Sequence, residues 1–366
     1  MKHLHFVLFK GVYPFRTGGM EIFNYYFIQS LIKEGYKISY SSYIKYLFDN
    51  GSDLECNKMT ELKPVKIFAP IQTILYLLFH RNIDNVIFSY SRGHWIMWML
   101  YHFLLKIVGI KYTAIIHLGE KPLKHKHHNI IKKFLQGAKN VIAVSNDIKK
   151  NYDEMYGIDC KVIPPLVPFE ISDISVQQLR HKYGIPTNCT VICMVGTIKK
   201  MKNPDTVIHA ISQMTSKELE EINPCIVFAG SGNQQQAMKE LASNLEISDR
   251  VFFLGNIAKE NVNEIYKLSD IYVIASDYEG TSVSLLEAMY NSKMIIASKA
   301  IGIMDMVTEN SDCMMFEIQN NTELKNAIIK IVTNKNFAIN ISTNAKATYD
   351  KHYNYKNIIE EYKNIL

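Results

Sequence analysis

SDIYVIASDYEGTSVSLLEAMYNSKMIIAS, residues 269–298, is the stretch that decides the fold. Ile271–Ser276 is apolar without alternation, which suits a strand buried on both faces. A short polar loop carries Glu279 and Gly280, a helix opens near Ser282 and holds Glu287 one to two turns in, and a second apolar strand runs over Met294–Ser298. This order puts backbone N–H groups and the positive end of a helix dipole at the carboxyl edge of a sheet, where phosphate is attracted. Two carboxylates beside such a pocket would repel a phosphate unless they face the hydroxyls of a ribose and a sugar. Taken alone, the pair is also compatible with a solvated loop acid and a helix-surface acid.

Working outward, β-rich runs alternate with helical patterns along the whole chain, which predicts parallel sheets in α/β lobes. The first half predicts strands at His3–Phe9, Lys37–Tyr43, Val65–Ala69, Val86–Tyr90, Tyr112–His117, Val141–Ser145 and Lys161–Pro164. The second predicts Thr190–Gly196, Pro224–Gly230, Arg250–Leu254, Ile271–Ser276 and Met294–Ser298. Length sets the domain count: 366 residues exceed one ordinary lobe and suit two. The best boundary is VIPPLVPFEISDIS, where Pro164, Pro165 and Pro168 interrupt regular structure. The expected division is residues 1–167, then 168–350, with a C-terminal amphipathic helix within 351–366 packing back on the first lobe.

Hydrophobic residues at 48% and charged residues at 21% are ordinary for a globular chain and argue against disorder. The net charge of +6 is unevenly placed. Between Asp84 and Asp147 the acid Glu120 stands against Arg92, Lys106, Lys111, Lys121, Lys124, Lys126, Lys132, Lys133 and Lys139, a local balance of +8. Cys56, Cys160, Cys189, Cys193, Cys225 and Cys313 form no C-x-x-C pair, so a reducing compartment without structural disulfides is expected. His3–Phe9 reads as a first strand rather than a signal peptide, and no stretch offers 18 uncharged apolar residues. The nearest, His94 to Ile110, is interrupted by His102 and Lys106.

Two further segments carry chemistry. MVGTIKKMKNPDTVIHAI (194–211) is a strand, Gly196, a loop with Lys199, Lys200 and Lys202, and a helix opening on Pro204. Its lysines suit a diphosphate or an ordinary basic loop. VFAGSGNQQQ (227–236) places Gly230 and Gly232 after a buried strand, allowing tight turning and close backbone approach.

In this order the three segments resemble the retaining glycosyltransferase family 4, of GT-B architecture, and in particular bacterial cell-surface polysaccharide glycosyltransferases. Glu279 and Glu287 reproduce the family's E-x7-E signature. FKGVYPFRTGGMEIFNYYFIQSLIKEGYKISY (9–40) resembles its first strand, G-G loop and first helix. The resemblance implies an α/β fold of two Rossmann-like lobes facing across a cleft. It implies an enzyme moving a hexosyl or N-acetylhexosaminyl group from a nucleotide-diphosphate sugar to a glycan acceptor. Glu287 would hold the ribose, Glu279 the hydroxyls of the transferred sugar, and Lys202 the diphosphate. The backbone of Gly280, Thr281, Ser282 and Val283 would face sugar and phosphates, with Gly196, Thr197 and Gly230 also on the donor side. Gly18 and Gly19 would line the cleft from the other lobe, and His117 would sit beside the reacting centre. By itself His117 reads more readily as a satisfied structural histidine, and only its implied place at the cleft brings the two readings level.

Three positions depart from the family. Thr197 stands where an arginine is usual, leaving Lys199 or Lys200 to complete the diphosphate clamp. Pro165–Leu166 replaces an asparagine–glycine, and Ser292 replaces the glycine after the signature helix.

Breaking the bond from an anomeric carbon to a diphosphate needs charge stabilisation on the leaving group more than a strong base. No D-x-D triplet occurs, so Lys202 and the helix start at Ser282 are left with that task, and neither a metal nor another cofactor is expected. The KHKHH run (124–128) reads as a solvated basic loop. Alternatives are a non-catalytic GT-B partner protein and a nucleotide-sugar epimerase on the same fold. An NAD-dependent oxidoreductase is disfavoured, because no G-x-G-x-x-G follows the first strand. No nucleic-acid partner is expected. The basic segment, with the apolar run 94–110 beside it, predicts docking of the first lobe on an anionic membrane and a lipid-linked acceptor. That corresponds to a cytoplasmic protein, peripheral on the inner face of the membrane. Most of the apolar run is expected to be a buried helix.

Overall fold

The structure, a computed structural model, describes residues 2–8, 19–42, 55–57, 68–80, 82–90, 95–117, 128–166 and 172–366. They fall into two compact units, Met1–Pro168 with Tyr355–Leu366, and Phe169–Asn354. In the first unit the chain runs β1 (His3–Leu8), α1 (Gly19–Lys33), β2 (Lys37–Ser42), β3 (Glu55–Asn57), α2 (Phe68–Phe79) and β4 (Asn85–Tyr90). It continues with α3 (Trp95–Val108), β5 (Tyr112–Ile116), α4 (His128–Gln136), β6 (Asn140–Ala143), α5 (Asn146–Tyr156) and β7 (Lys161–Val162). The second unit opens with α6 (Val176–Tyr183), β8 (Thr190–Val195), α7 (Pro204–Ser212), α8 (Ser216–Ile222), β9 (Pro224–Ala229), α9 (Gln235–Asn244) and β10 (Val251–Gly255). It is completed by α10 (Val262–Leu268), β11 (Ile271–Ile274), α11 (Val283–Tyr290), β12 (Met294–Ser298), β13 (Met314–Phe316), α12 (Asn321–Thr333) and α13 (Lys335–His352). The chain then returns to the first unit as α14 (Tyr355–Ile365).

The described strands make one parallel sheet per unit, ordered β3-β2-β1-β4-β5-β6-β7 and β10-β9-β8-β11-β12-β13. Each order reverses beside its first strand, so both units are Rossmann-like and the class is α/β, as the sequence predicts. The switch points, β1/β4 and β8/β11, are where the carboxyl ends of such strands form a crevice. Strand composition explains the double burial. In β8, Val191 and Cys193 enter one apolar cluster with Val227 and Tyr272, while Ile192 enters the other with Ile226, Phe228 and Val273. Period-two alternation of wholly apolar residues thus supplies both faces of the sheet.

One predicted strand is corrected. Residues 65–67 lie outside the described residues, and Phe68 and Ala69 begin α2 instead of ending a strand. Pro70 sits in the first helical turn, where its missing N–H would have no intrahelical acceptor. The short strands β3 and β13 were not predicted, having three residues each and no long apolar run.

The C-terminal helix expected within residues 351–366 is α14, Tyr355–Ile365. His352 closes α13 in the second unit, and Tyr355 opens α14 in the first. Tyr362 on α14 is buried against Phe27, ring centroids 4.5 Å apart, with its hydroxyl 3.3 Å from the Ile163 carbonyl oxygen. Cys160, Cys189, Cys193, Cys225 and Cys313 are buried and free. Among the described residues no helix is long and apolar enough to cross a membrane.

Candidate functional site

The carboxyl ends of β8, β9 and β11 are held together by backbone. Gly196 N donates to the Ala229 carbonyl at 2.9 Å, and Ile198 N to that of Ser231 at 3.0 Å. These contacts leave no room for side chains at the two glycines between them. A Cβ on Gly230 would lie 2.0 Å from the Gly196 carbonyl oxygen, and one on Gly232 would lie 2.0 Å from that of Ile198. Close approach, rather than turning alone, is what these glycines provide.

The loop after β8 is tied to the loop after β11 in turn. Asp277 N donates to the Met201 carbonyl at 3.0 Å, and Asn203 Nδ2 reaches the Ala275 carbonyl at 2.9 Å and Asp277 Oδ1 at 2.6 Å. Asn203 has φ +45, a left-handed conformation that asparagine tolerates, and α7 follows with Pro204 in its first turn.

This scaffold brings Lys202 onto Glu279 in a direct ion pair, and Ser276 Oγ donates to the same carboxylate oxygen at 2.6 Å. Glu287 is paired as well, with Lys259 on its Oε1. The Tyr266 hydroxyl lies 2.9 Å from Glu287 Oε2 and 2.8 Å from the Ser284 carbonyl, sharing one proton between them. Burial, and after it the Glu287 charge, pushes the Tyr266 phenol well above its ordinary pKa, so it stays a neutral donor. Lys259 and Glu287 are 7% and 4% exposed, a desolvated pair, whereas Lys202 at 25% keeps access to solvent. The two signature carboxylates are therefore each compensated by a lysine.

Lys259 and Tyr266 were not predicted. Lys259 sits in a polar stretch with no motif, and Tyr266 reads as a core residue of α10. The glycine that fits Glu279 was also missed. Gly302, at φ +84, would place a Cβ 1.9 Å from the Glu279 carbonyl oxygen, and Ile301 accepts from Glu279 N at 3.1 Å.

Ser282 caps α11, its hydroxyl accepting from Leu285 N at 3.3 Å. The next N–H groups, at Val283 and Ser284, lie in the first turn, where no intrahelical acceptor reaches them. Gly280 is buried, Thr281 half-buried, and Gly196 and Thr197 exposed. Gly196, Thr197, Lys202, Ser276 and Ser284 border a small hollow of about 30 Å³. Larger hollows, of about 710 and 520 Å³, lie in the first unit at the amino ends of β5, β6 and β7, lined in part by His102, Lys106, Lys133 and Lys139 and by none of the predicted donor-site residues. Ser292 adopts φ +52, which explains why a glycine is usual there.

In the first unit, Gly18 lies outside the described residues and Gly19 opens α1. His117 follows β5 at the carboxyl edge, its ring centroid 4.7 Å from that of Phe23. Its Nε2 is buried without a hydrogen-bond partner among the described residues, and burial holds its pKa down to about 3. It is a neutral imidazole with one nitrogen unused. Lys121, Lys124 and Lys126 lie outside the described residues, and Lys132 and Lys133 are on α4.

With this arrangement established, comparison with known proteins is decisive. Residues 17–170 match Glycosyltransferase Family 4, and residues 175–348 match Glycosyl transferases group 1. The chain belongs to the family 4 glycosyltransferases. This glycosyltransferase is 26% identical over 403 residues to an uncharacterized glycosyltransferase of Methanocaldococcus jannaschii, covering 100% of this chain and 99% of the other. Over 263 residues it is 26% identical to a Campylobacter jejuni α-1,4-N-acetyl-D-galactosaminyltransferase, whose name specifies a diNAcBac-PP-undecaprenol-linked glycan. That match covers 71% of this chain and 69% of the other. The Anabaena protein HepE, solved with UDP and glucose, is similar with a TM-score of 0.78 at 17% identity, over 100% of this chain and 99% of that one. That likeness concerns the fold, the pair of Rossmann-like lobes called GT-B.

Proposed function

We propose that this glycosyltransferase takes a nucleotide-diphosphate sugar as donor and retains the anomeric configuration. The observation that carries the reading is the Lys202–Glu279 pair beside the first turn of α11, at the β8/β11 switch point. An arriving diphosphate competes for Lys202, and Glu279 is released toward the hydroxyls of the sugar. Glu287, held by Lys259 and Tyr266, presents its carboxylate to the ribose. The acceptor oxygen bonds to the anomeric carbon as the bond from that carbon to the diphosphate oxygen breaks, with the electron pair leaving on the diphosphate. Attack on the face of departure retains configuration and lets the acceptor proton pass to the leaving oxygen. Lys202 and the α11 N–H groups stabilise the departing charge, the term that dominates such reactions. We assign His117, neutral and with no partner for Nε2 among the described residues, a hydrogen bond to a sugar hydroxyl.

The proposed acceptor is a lipid-linked glycan of surface polysaccharide synthesis, met by a peripheral protein on the inner face of the membrane. The named substrate of the Campylobacter relative and the basic balance of residues 85–146 support this. Calorimetry tests the donor site with UDP-, GDP- and ADP-sugars. Lys202→Ala and Glu287→Ala should each weaken the preferred nucleotide by about tenfold or more, since a charged hydrogen bond is worth about 1.5–3 kcal/mol. Unchanged affinity in both variants would remove the assignment.

A further inference from the structure

The outward sides of α2 and α3 are unlike those of an ordinary surface helix. α2 contains no charged residue, and the exposed positions among its described side chains are Ile71, Leu75, Leu78 and Phe79. On α3 the exposed positions include Met99, Phe103 and Ile107, at four-residue spacing, with Lys106 beside them. Phe79 is 84% exposed, Phe103 61% and Ile107 65%. The opposite sides are packed. Thr73 Oγ1 lies 3.1 Å from the Tyr101 hydroxyl between the two helices, and Trp98 packs tilted against Phe134 of α4, ring centroids 4.9 Å apart. Each helix therefore has a core side and a second apolar side facing water. Contiguous apolar surface of this kind marks an interaction site.

We propose that the outward faces of α2 and α3 insert together into the headgroup region of an anionic phospholipid bilayer. This rests on the membrane reading above and replaces its lysine-loop docking with an apolar anchor. Charge selects this occupant over a second copy of the chain. Lys106, Lys111 and Lys133 are exposed near the ends of α3 and α4, and no acid occurs between Asn85 and His117. Two such faces repel each other, whereas an anionic surface attracts both. Helix length sets the mode of binding. At about 1.5 Å per residue, helices of this size reach about 20 Å, short of the roughly 30 Å hydrocarbon core, so they lie along the interface.

The test is flotation of the full chain with vesicles of phosphatidylcholine alone and of phosphatidylcholine with phosphatidylglycerol in equal parts. The parent should float with the anionic vesicles. Leu75→Glu/Phe103→Glu should reduce that binding by about tenfold or more, since two buried apolar side chains are lost. It should keep the parent's melting temperature and its donor hydrolysis. Phe103→Trp should gain a fluorescence component quenched by brominated acyl chains, which an electrostatically docked protein would not show. If the glutamate variant floats like the parent while Lys106→Gln/Lys133→Gln does not, the anchor is refuted and the lysine docking stands. If the parent itself fails to float, both fall. A parent dimer that the glutamate variant converts to monomer would assign the face to a second copy instead.

Discussion

Gly302→Ala isolates the backbone fit that positions Glu279. The glycine lies at φ +84, and an added Cβ would be 1.9 Å from the Glu279 carbonyl oxygen. Ordinary contact begins near 3.4 Å, so one of the two loops must retreat by about 1.5 Å. The left-handed conformation itself costs an L-residue about 1–2 kcal/mol. Gly184→Ala is the control, because Gly184 in the same unit has φ +66 and nothing within 4 Å of its Cβ position. Both variants should lose that strain energy in denaturant unfolding. Only Gly302→Ala should also displace Glu279 and its partner Lys202, and a 1 Å misplacement at a reacting centre costs about 10²-fold in rate. The assay is kcat for sugar transfer or donor hydrolysis, with nucleotide affinity measured alongside by calorimetry. We expect kcat to fall about 100-fold in Gly302→Ala and by less than about threefold in Gly184→Ala. Equal kcat in the two variants would refute the claim that this contact sets the position of Glu279.

The buried Lys259–Glu287 pair predicts that Lys259→Met lowers unfolding free energy by about 3–5 kcal/mol, and that adding Glu287→Gln recovers part of it. A single variant within about 1 kcal/mol of the parent would contradict the pairing. His5 and His117 are both held neutral near pKa 3 by burial, His3 and His80 adding to the effect at His5. Their stabilisation is complete above pH 6.5 and declines as pH falls toward 3, by about 1.4 kcal/mol per pH unit for each. Urea melts at pH 7 and pH 5 should show this loss, and a smaller one in His117→Gln. Ser292→Gly relieves a left-handed serine whose side chain is exposed, and should raise unfolding free energy by about 1 kcal/mol. No D-x-D triplet is present, so transfer should survive EDTA. An obligatory response to manganese or magnesium would overturn the leaving-group assignment.

The second unit was far more legible in the sequence than the first, and the reason is local. Its strands are unbroken apolar runs followed by glycine or serine, and its helices open on Pro204 and Ser282. Chain order alone therefore places Gly196, Gly230, Glu279 and Glu287 at one sheet edge. Interactions set by distant backbone were hidden. Nothing in the local pattern says that Lys259 reaches Glu287 across 28 residues, or that Gly302 lies against Glu279. The strand predicted at Val65–Ala69 is corrected at Phe68 and Ala69, which open a helix, since a proline at position 70 suits a first helical turn as well as a strand end. The outward side of α2 was invisible for a related reason. An uncharged helix reads as buried all round, and only the packing of Thr73 and Ile74 against the fold shows which side is left over.

The return of α14 to the first unit affects how the protein is made. Tyr362 fills the space beside Phe23 and Phe27, yet the ribosome adds it only after the whole of Phe169–Asn354. During synthesis the amino-terminal lobe emerges first with a gap in its core, while the second lobe can close on residues already present. The order of emergence and the order of completion are thus opposite. The interval between them is when the early lobe is most exposed to chaperones and proteases.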